Sequence, residues 1–139
     1  MTQRQERLEV RTPGRGLHEV TGQVGAIVAR SGVTTGLCVV FCPHTSSSLL
    51  LQENADPSAR ADLLAWLGRL APDGDGRYEH DAEGEDDMAA HLRSAVTRSS
   101  ETIPVSGGRL ALGTWQGIFL AEHRTSPHRR TLVVHVFGE

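Results

Sequence analysis

Apolar positions along the chain follow the two-residue period of strands in some segments and the 3.6-residue period of helices in others. Leu8 and Val10 alternate with polar residues, whereas Val20, Val24 and Ile27 recur on one face of a helix. The pattern predicts helices over residues 16–30, 57–70 and 86–98. It predicts strands over residues 5–12, 36–42, 45–53, 101–105, 109–112, 115–122 and 131–137.

This order of elements predicts an α+β fold, in which late strands joined by short turns pair mostly antiparallel. The chain of 139 residues is expected to form one compact domain over 1–139, with about three helices. Asp56 and Pro57 suit the start of the second helix as N-cap and first helical residue. The acidic, glycine-rich segment 71–87 is predicted to be a loop.

Composition excludes several classes of function. The net charge is -3, which is not the strongly basic footprint of a nucleic-acid-binding protein. The chain contains no lysine, which excludes a lysine Schiff base or a P-loop lysine. Cys38 and Cys42 are expected to be buried thiols rather than a disulfide or a zinc pair. No segment resembles a signal core or a membrane span, so we expect a cytoplasmic protein without a membrane partner.

Histidines suggest a metal centre. Asp87 and His91 are four residues apart on a predicted helix and therefore share a face. His44 follows directly after the apolar strand 36–42, and His80 lies in the acidic loop. If these side chains converge, His44, His80 and His91 make a three-histidine site with an open position, the pattern of catalytic zinc. The alternative is that Asp87 and His91 form an ordinary surface pair and that His80 is solvated.

Further polar residues could complete an active site. Glu53 could transfer protons or could simply stabilise the joint between a strand and a helix. Hydroxyl groups follow His44, and those of Ser46, Ser47 and Ser48 could bind a ligand oxyanion or could satisfy backbone groups. Arg129 and Arg130 suit phosphate or carboxylate binding, although a solvated hairpin over 123–130 explains them equally well.

Several motifs, in this order and spacing, make the chain resemble the YjbQ family, also called UPF0047, over nearly its whole length. They are Pro43-His44-Thr45, Glu53-Asn54-Ala55-Asp56-Pro57, His80-Asp81, the pair Asp87 and His91, Gly108-Arg109-Leu110, Gly113-Thr114-Trp115-Gln116-Gly117, Glu122 and Arg129-Arg130. The sequence departs from the family pattern at Ser46, where the family usually has threonine, in the more acidic loop 81–86, and over 123–128.

The resemblance implies a homotrimer with an active site near a subunit boundary, where His44, His80 and His91 hold a metal. Zinc is expected there, with magnesium or manganese as alternatives. For a metal-assisted enzyme of this kind we expect Thr45, Ser46, Gln116, Arg129 and Arg130 to bind substrate, and Glu53, Asp87 and His91 to act in catalysis.

The implied activity is that of a secondary thiamine-phosphate synthase. Such an enzyme couples hydroxymethylpyrimidine diphosphate to a thiazole phosphate and releases pyrophosphate, so the expected partner is a small phosphorylated metabolite. Two alternatives stay open at this stage. One is a zinc-dependent hydrolase of a phosphoester or another small ester. The other is a non-enzymatic trimer that binds a metal or a metabolite.

Overall fold

The computed structural model describes all residues 1–139, in eight strands and three helices. The helices are α1 (Thr21–Ser31), α2 (Pro57–Leu70) and α3 (Asp87–Ala95). The strands are β1 (Thr2–Thr12), β2 (Gly16–Glu19), β3 (Thr35–Phe41), β4 (Ser47–Glu53), β5 (Ser100–Ser106), β6 (Arg109–Leu110), β7 (Gln116–Glu122) and β8 (His128–Gly138). The predicted α+β class with three helices is confirmed.

The strands form two sheets in which every pairing is antiparallel. Sheet A has the order β1-β8-β3-β5-β6, and sheet B has the order β2-β7-β4. The inner faces of both sheets and one face of α1 share a single apolar core. Val24 and Val28 of α1 are fully buried in it, together with Val40, Leu49 and Leu120 from the sheets. This shared core explains the strong apolar periodicity of the first half of the chain.

The first predicted helix was wrong at its start. Residues 16–19 form β2, which pairs with β7, and the helix begins only at Thr21. The spacing of Leu17 and Val20 fits a helix face. In the fold, however, residues 16–19 form backbone hydrogen bonds with the edge of β7, which they could not do as part of a helix. The last strand starts at His128, so the connection before it is shorter than the predicted hairpin loop.

The outer face of sheet A is apolar at its centre. Leu37, Val39 and Phe41 of β3 alternate with the buried Cys38 and Val40, so they point away from the core. Val133 and Phe137 on β8 lie opposite Phe41 and Leu37. No helix covers this face, and Phe41 is 44% exposed.

None of the three helices is both long and apolar enough to span a bilayer. The longest, α2, has 14 residues. Asp56 caps it as predicted, because its carboxylate accepts a hydrogen bond from the amide of Ser58 at 2.9 Å.

The start of β4 and helix α3 are held side by side. The hydroxyl of Ser94 donates to the carbonyl of Ser47 at 2.9 Å, and the backbones of Leu49 and Arg98 form a bridge. This contact brings the loop between β3 and β4, residues 42–46, next to the helix that carries Asp87 and His91.

Candidate metal centre

Three side chains converge at the start of α3. The ring nitrogen Nε2 of His80 lies 2.8 Å from Oδ2 of Asp87, and Nε2 of His91 lies 3.1 Å from the same oxygen. These three potential ligand atoms all lie within 4.8 Å of one another. Asp87 is 2% exposed, whereas the His80 side chain is 47% exposed, so the cluster is anchored in the protein and open on one side.

The local sequence explains this convergence. Asp87 is the first residue of α3, where the helix dipole favours a carboxylate, and His91 lies one turn later on the same face. The loop before the helix returns His80 to that face. The predicted pairing of Asp87 with His91 is therefore present, and His80 joins it.

Arg124 fixes the orientation of the Asp87 carboxylate. Its guanidinium donates to Oδ1 of Asp87 at 2.8 Å and to Oδ2 of Asp86 at 3.0 Å. Burial by itself would raise the pKa of Asp87, but the hydrogen bond from His80 and the charges of His91 and Arg124 hold it below its usual value. Asp87 is therefore an ionised carboxylate with one oxygen directed at the two histidines.

His91 is oriented as metal-binding histidines usually are. Its Nδ1 lies 3.0 Å from the carbonyl oxygen of Thr45, which can only accept a hydrogen bond. Nδ1 therefore carries a proton, and Nε2, which also faces an acceptor at Oδ2 of Asp87, is the atom that would bind a metal in exchange for its proton. Two imidazoles and one carboxylate with an exposed side suit zinc or a similar divalent ion. The residues present thus fit a metal.

Arginines hold the acidic loop 71–86 beside this cluster. Arg15 forms two hydrogen bonds with the carboxylate of Asp73, at 2.7 and 2.8 Å. Arg93 donates to the carbonyl of Ala71, and Arg124 donates to the carbonyl of Glu83. A cavity of about 350 Å³ opens between the loop and His80. Its acidic lining, which includes Asp75, Asp81 and Glu85, favours a cation over a phosphate.

His44 lies outside the cluster. Pairing between β3 and β8 ends at Phe41 and Val133, so the amide of Thr131 has no strand partner on that side. His44 takes that place, since its Nε2 accepts a hydrogen bond from the Thr131 amide at 3.0 Å. Burial, followed by the positive charge of Arg130, lowers the pKa of His44, so the ring is neutral at pH 7. One chain therefore does not form the predicted three-histidine set, and Asp87 stands where His44 was expected.

A buried ion pair supports the loop that carries Thr45. Arg130 donates to both carboxylate oxygens of Glu122, which is fully buried, and also to the hydroxyl of Ser46 at 3.0 Å. Thr12 donates to the same carboxylate at 2.7 Å. These contacts use the guanidinium of Arg130 and the hydroxyl of Ser46 internally. The structure thus gives both residues a supporting position rather than the substrate-binding one expected from the sequence.

Three other predicted site residues lie elsewhere. Glu53 is at the opposite end of β4 from Ser47, about 20 Å away at roughly 3.3 Å per residue. Gln116 uses its side-chain oxygen to accept a hydrogen bond from the amide of Gly113 at 2.8 Å. Arg129 is exposed on the outer face of sheet A, where it lies directly opposite Arg11. Within one chain, Glu53 and Gln116 are not brought to the histidine cluster.

Two functional contacts were missed from the sequence. Arg124 reaches Asp87 across 37 positions, and nothing in the linear pattern separates it from the other arginines near the C-terminus. Thr45 contributes its backbone carbonyl rather than its hydroxyl, which no residue pattern can indicate.

Comparison with known proteins identifies the family to which the chain belongs. A family model described as "UPF0047 protein YjbQ-like" matches residues 6–139. The chain belongs to the YjbQ (UPF0047) family. A UPF0047 protein from Synechocystis is 54% identical over 137 residues, which cover 99% of this chain and 93% of that relative. The Bacillus subtilis member YugU is 34% identical over 132 residues, which cover 94% of this chain and 97% of YugU.

Solved structures of family members have the same fold. A hypothetical protein from Aeropyrum pernix superposes with a TM-score of 0.89 at 33% identity, covering 98% of this chain and 99% of the other. An uncharacterised YjbQ/UPF0047 protein from Clostridium acetobutylicum gives a TM-score of 0.87 at 35% identity, with 95% and 99% coverage. The expected compact α+β fold of the family is therefore confirmed.

Proposed function

We propose that this protein is a divalent-metal enzyme that acts on a small phosphorylated metabolite. The observation that carries the proposal is the cluster of His80, Asp87 and His91, in which both histidines turn Nε2 toward one ionised carboxylate oxygen. Zinc is the expected ion, and magnesium or manganese are alternatives. Bound there, the ion would supply Lewis-acid stabilisation of negative charge on a phosphate or pyrophosphate oxygen.

The chain's own residues prepare this site in three ways. Arg124 holds Asp87 through its other oxygen, and the carbonyl of Thr45 fixes the ring of His91. Exposure of His80 leaves the centre open to solvent on one side.

The reaction implied by the family resemblance is the coupling of hydroxymethylpyrimidine diphosphate to a thiazole phosphate. The thiazole nitrogen forms a bond to the methylene carbon, the carbon–oxygen bond to the diphosphate breaks, and pyrophosphate leaves with the electron pair. Stabilising that departing charge is the main requirement, and a metal held by two histidines and a carboxylate meets it.

A phosphoester hydrolase is the second candidate. The observation that favours it is the set of two histidines and one carboxylate with an open side, which resembles the ligand set of zinc hydrolases. Such a site lowers the pKa of bound water to about 7 and so produces a nucleophile at neutral pH.

One experiment separates these functions. Metal-free protein is reloaded with zinc, magnesium or manganese and given both thiamine precursors, each precursor alone, or a panel of phosphoesters. Release of pyrophosphate only when both precursors are present supports the transferase. Phosphate release from the panel that disappears in His91→Ala supports the hydrolase. A metal-loaded protein that turns over none of them leaves the third alternative, a binding protein.

We also propose that the protein assembles with copies of itself, as a homotrimer. The apolar centre of the outer face of sheet A supports this, because an antiparallel sheet whose outer face meets water usually carries polar residues there. Leu37, Val39 and Phe41 of β3, with Val133 and Phe137 of β8, form an apolar patch around His135 of the kind that oligomers cover. Light scattering on the purified protein tests the expected mass of three chains.

A further inference from the structure

The loop between β3 and β4 lies between two histidines whose rings are fixed in different ways. The backbone N–H of Thr131 donates to Nε2 of His44 at 3.0 Å, and Nδ1 of His91 donates to the carbonyl of Thr45 at 3.0 Å. A backbone amide can only donate and a carbonyl can only accept, so both rings carry a proton on Nδ1. The rings therefore both carry the Nδ1 proton but present opposite atoms, since Nε2 of His91 faces the carboxylate of Asp87 and Nδ1 of His44 has no partner within the chain.

The free atom decides what each ring can do. Nε2 of His91, beside His80 and Asp87, would give up its proton to bind a metal. His44 has its lone pair occupied by Thr131 and presents Nδ1–H, which is a hydrogen-bond donor. To bind a metal, His44 would have to give up either the Nδ1 proton or its bond to Thr131, which would leave that amide without the partner that replaces β3.

The Nδ1–H group of His44 is available to a ligand. The ring makes its single side-chain hydrogen bond with Thr131, and the protein contains no buried side-chain nitrogen or oxygen that lacks a partner. His44 is only partly exposed, so its Nδ1 must be the part that reaches solvent. The ring cannot easily turn away, because Nε2 is fixed to the edge of sheet A.

We infer that His44 is not a metal ligand but a preset hydrogen-bond donor, whose Nδ1–H binds an anionic phosphate oxygen of the substrate. This inference rests on the proposed function, in that the anion is the phosphate or pyrophosphate group of the metabolite. A neutral donor fits such an oxygen, which can only accept hydrogen bonds. The same loop thus supplies an anchor for the metal ligand His91 and a donor for the substrate.

Nitrogen NMR of the full-length protein with ¹⁵N-labelled histidine tests this directly. We expect His44 to be protonated on Nδ1 and unprotonated on Nε2 in the metal-free protein. Zinc should change the Nε2 resonances of His80 and His91 and leave the tautomer of His44 unchanged. Inorganic pyrophosphate, added without metal and again with magnesium, should shift the Nδ1–H signal of His44. A His44 proton on Nε2, a zinc-bound His44, or no response to pyrophosphate would overturn the inference.

Two variants separate the donor role from a purely structural one. His44→Gln keeps an acceptor for the Thr131 amide but lacks the donor at the Nδ1 position. We expect its melting temperature and zinc affinity to stay close to wild type, while pyrophosphate affinity falls about tenfold. His44→Asn keeps a donor near the Nδ1 position and loses the acceptor, so it should be less stable but bind pyrophosphate better than His44→Gln. The reverse order of pyrophosphate affinities contradicts the inference.

The outcomes also distinguish this inference from the proposed function. If zinc, magnesium and manganese bind nowhere, the metal function fails, and the metal-free pyrophosphate titration still decides the role of His44. If zinc binds at His80 and His91 and also at His44, the proposed metal-dependent function is supported. The proposed role of His44 as a hydrogen-bond donor is then wrong.

Discussion

Replacing Arg130 with methionine should destabilise the fold by leaving a buried carboxylate without its cation. Glu122 is fully buried, and Arg130 is its only ion-pair partner. Methionine occupies much of the volume of the aliphatic part of arginine but carries no charge. The same change also removes the hydrogen bond from Arg130 to Ser46, so the loop that holds His91 loses a support.

The size of the effect follows from the contacts that remain. Breaking a buried ion pair costs roughly 3–5 kcal/mol because the unpaired charge stays desolvated. Thr12 and the amide of Arg124 still donate to Glu122, which places Arg130→Met near the lower end, at about 3 kcal/mol. For a chain of this length, that corresponds to a fall in melting temperature of roughly 6–12 °C. The double variant Glu122→Gln with Arg130→Met removes both charges and should recover at least half of the loss.

The effect should depend on pH with a definite sign. In the wild type, burial would raise the pKa of Glu122, but hydrogen bonds from Arg130 and Thr12 hold it below the ordinary 4.5. The stability of the pair is therefore present above pH 4.5 and is lost as the pH falls toward the folded pKa. Without Arg130, burial is no longer opposed and the pKa of Glu122 rises, so the loss in Arg130→Met is largest at neutral pH and shrinks on acidification.

Urea unfolding at pH 7 and pH 5, at one fixed protein concentration, measures these differences. Arg69→Met, at an exposed position of α2 without an ion pair, is the matched control and should change stability by less than about 0.5 kcal/mol. A destabilising effect of the unpaired Glu122 charge is contradicted if Arg130→Met loses less than about 1 kcal/mol, if the double variant is no more stable than the single one, or if the loss grows at pH 5.

Three further predictions concern the metal centre, pH and assembly. Arg124→Gln should weaken zinc binding about tenfold in calorimetry because Asp87 loses its orienting partner, whereas Arg77→Gln, whose ion pair is exposed, should not. Burial lowers the pKa of His123 to about 4, so the unfolded chain takes up a proton first as the pH falls below 6.5; wild type should lose about 2 kcal/mol more than His123→Gln between pH 6.5 and 5 in urea unfolding. Phe41→Asp should convert the expected trimer into monomers in light scattering, with zinc affinity kept to within about twofold if the centre lies within one chain.

Much of the fold could be predicted because the residues that define it interact locally. Pro57 after Asp56 marks the start of α2, and the nearly continuous apolar run 36–42 predicts β3. The segment 16–19 could not be assigned from its own pattern. It is a strand only because β7, about a hundred positions later, offers it a partner edge.

The candidate site was predictable to the extent that it rests on helix periodicity. Asp87 and His91 share a helix face by their spacing alone, and this part agreed with the structure. The position of His44 depended on where β3 stops pairing with β8, a property of register that the sequence of either strand does not reveal. The supporting role of Arg130 likewise follows from burial against Glu122, which is created only when the two sheets pack.

The acidic loop 71–86 is held by ion pairs with arginines rather than by apolar packing. Its mobility should therefore depend on salt concentration. Its tethers, such as Arg15 with Asp73 and Arg124 with Asp86, are partly exposed ion pairs. Dissolved salt weakens ion pairs that water partly reaches, although less than fully exposed pairs, and it does not weaken the apolar core. Rising salt should therefore loosen the wall beside His80 while the sheets stay intact. Ionic strength would then change the rates at which a cation binds and dissociates, independently of its affinity.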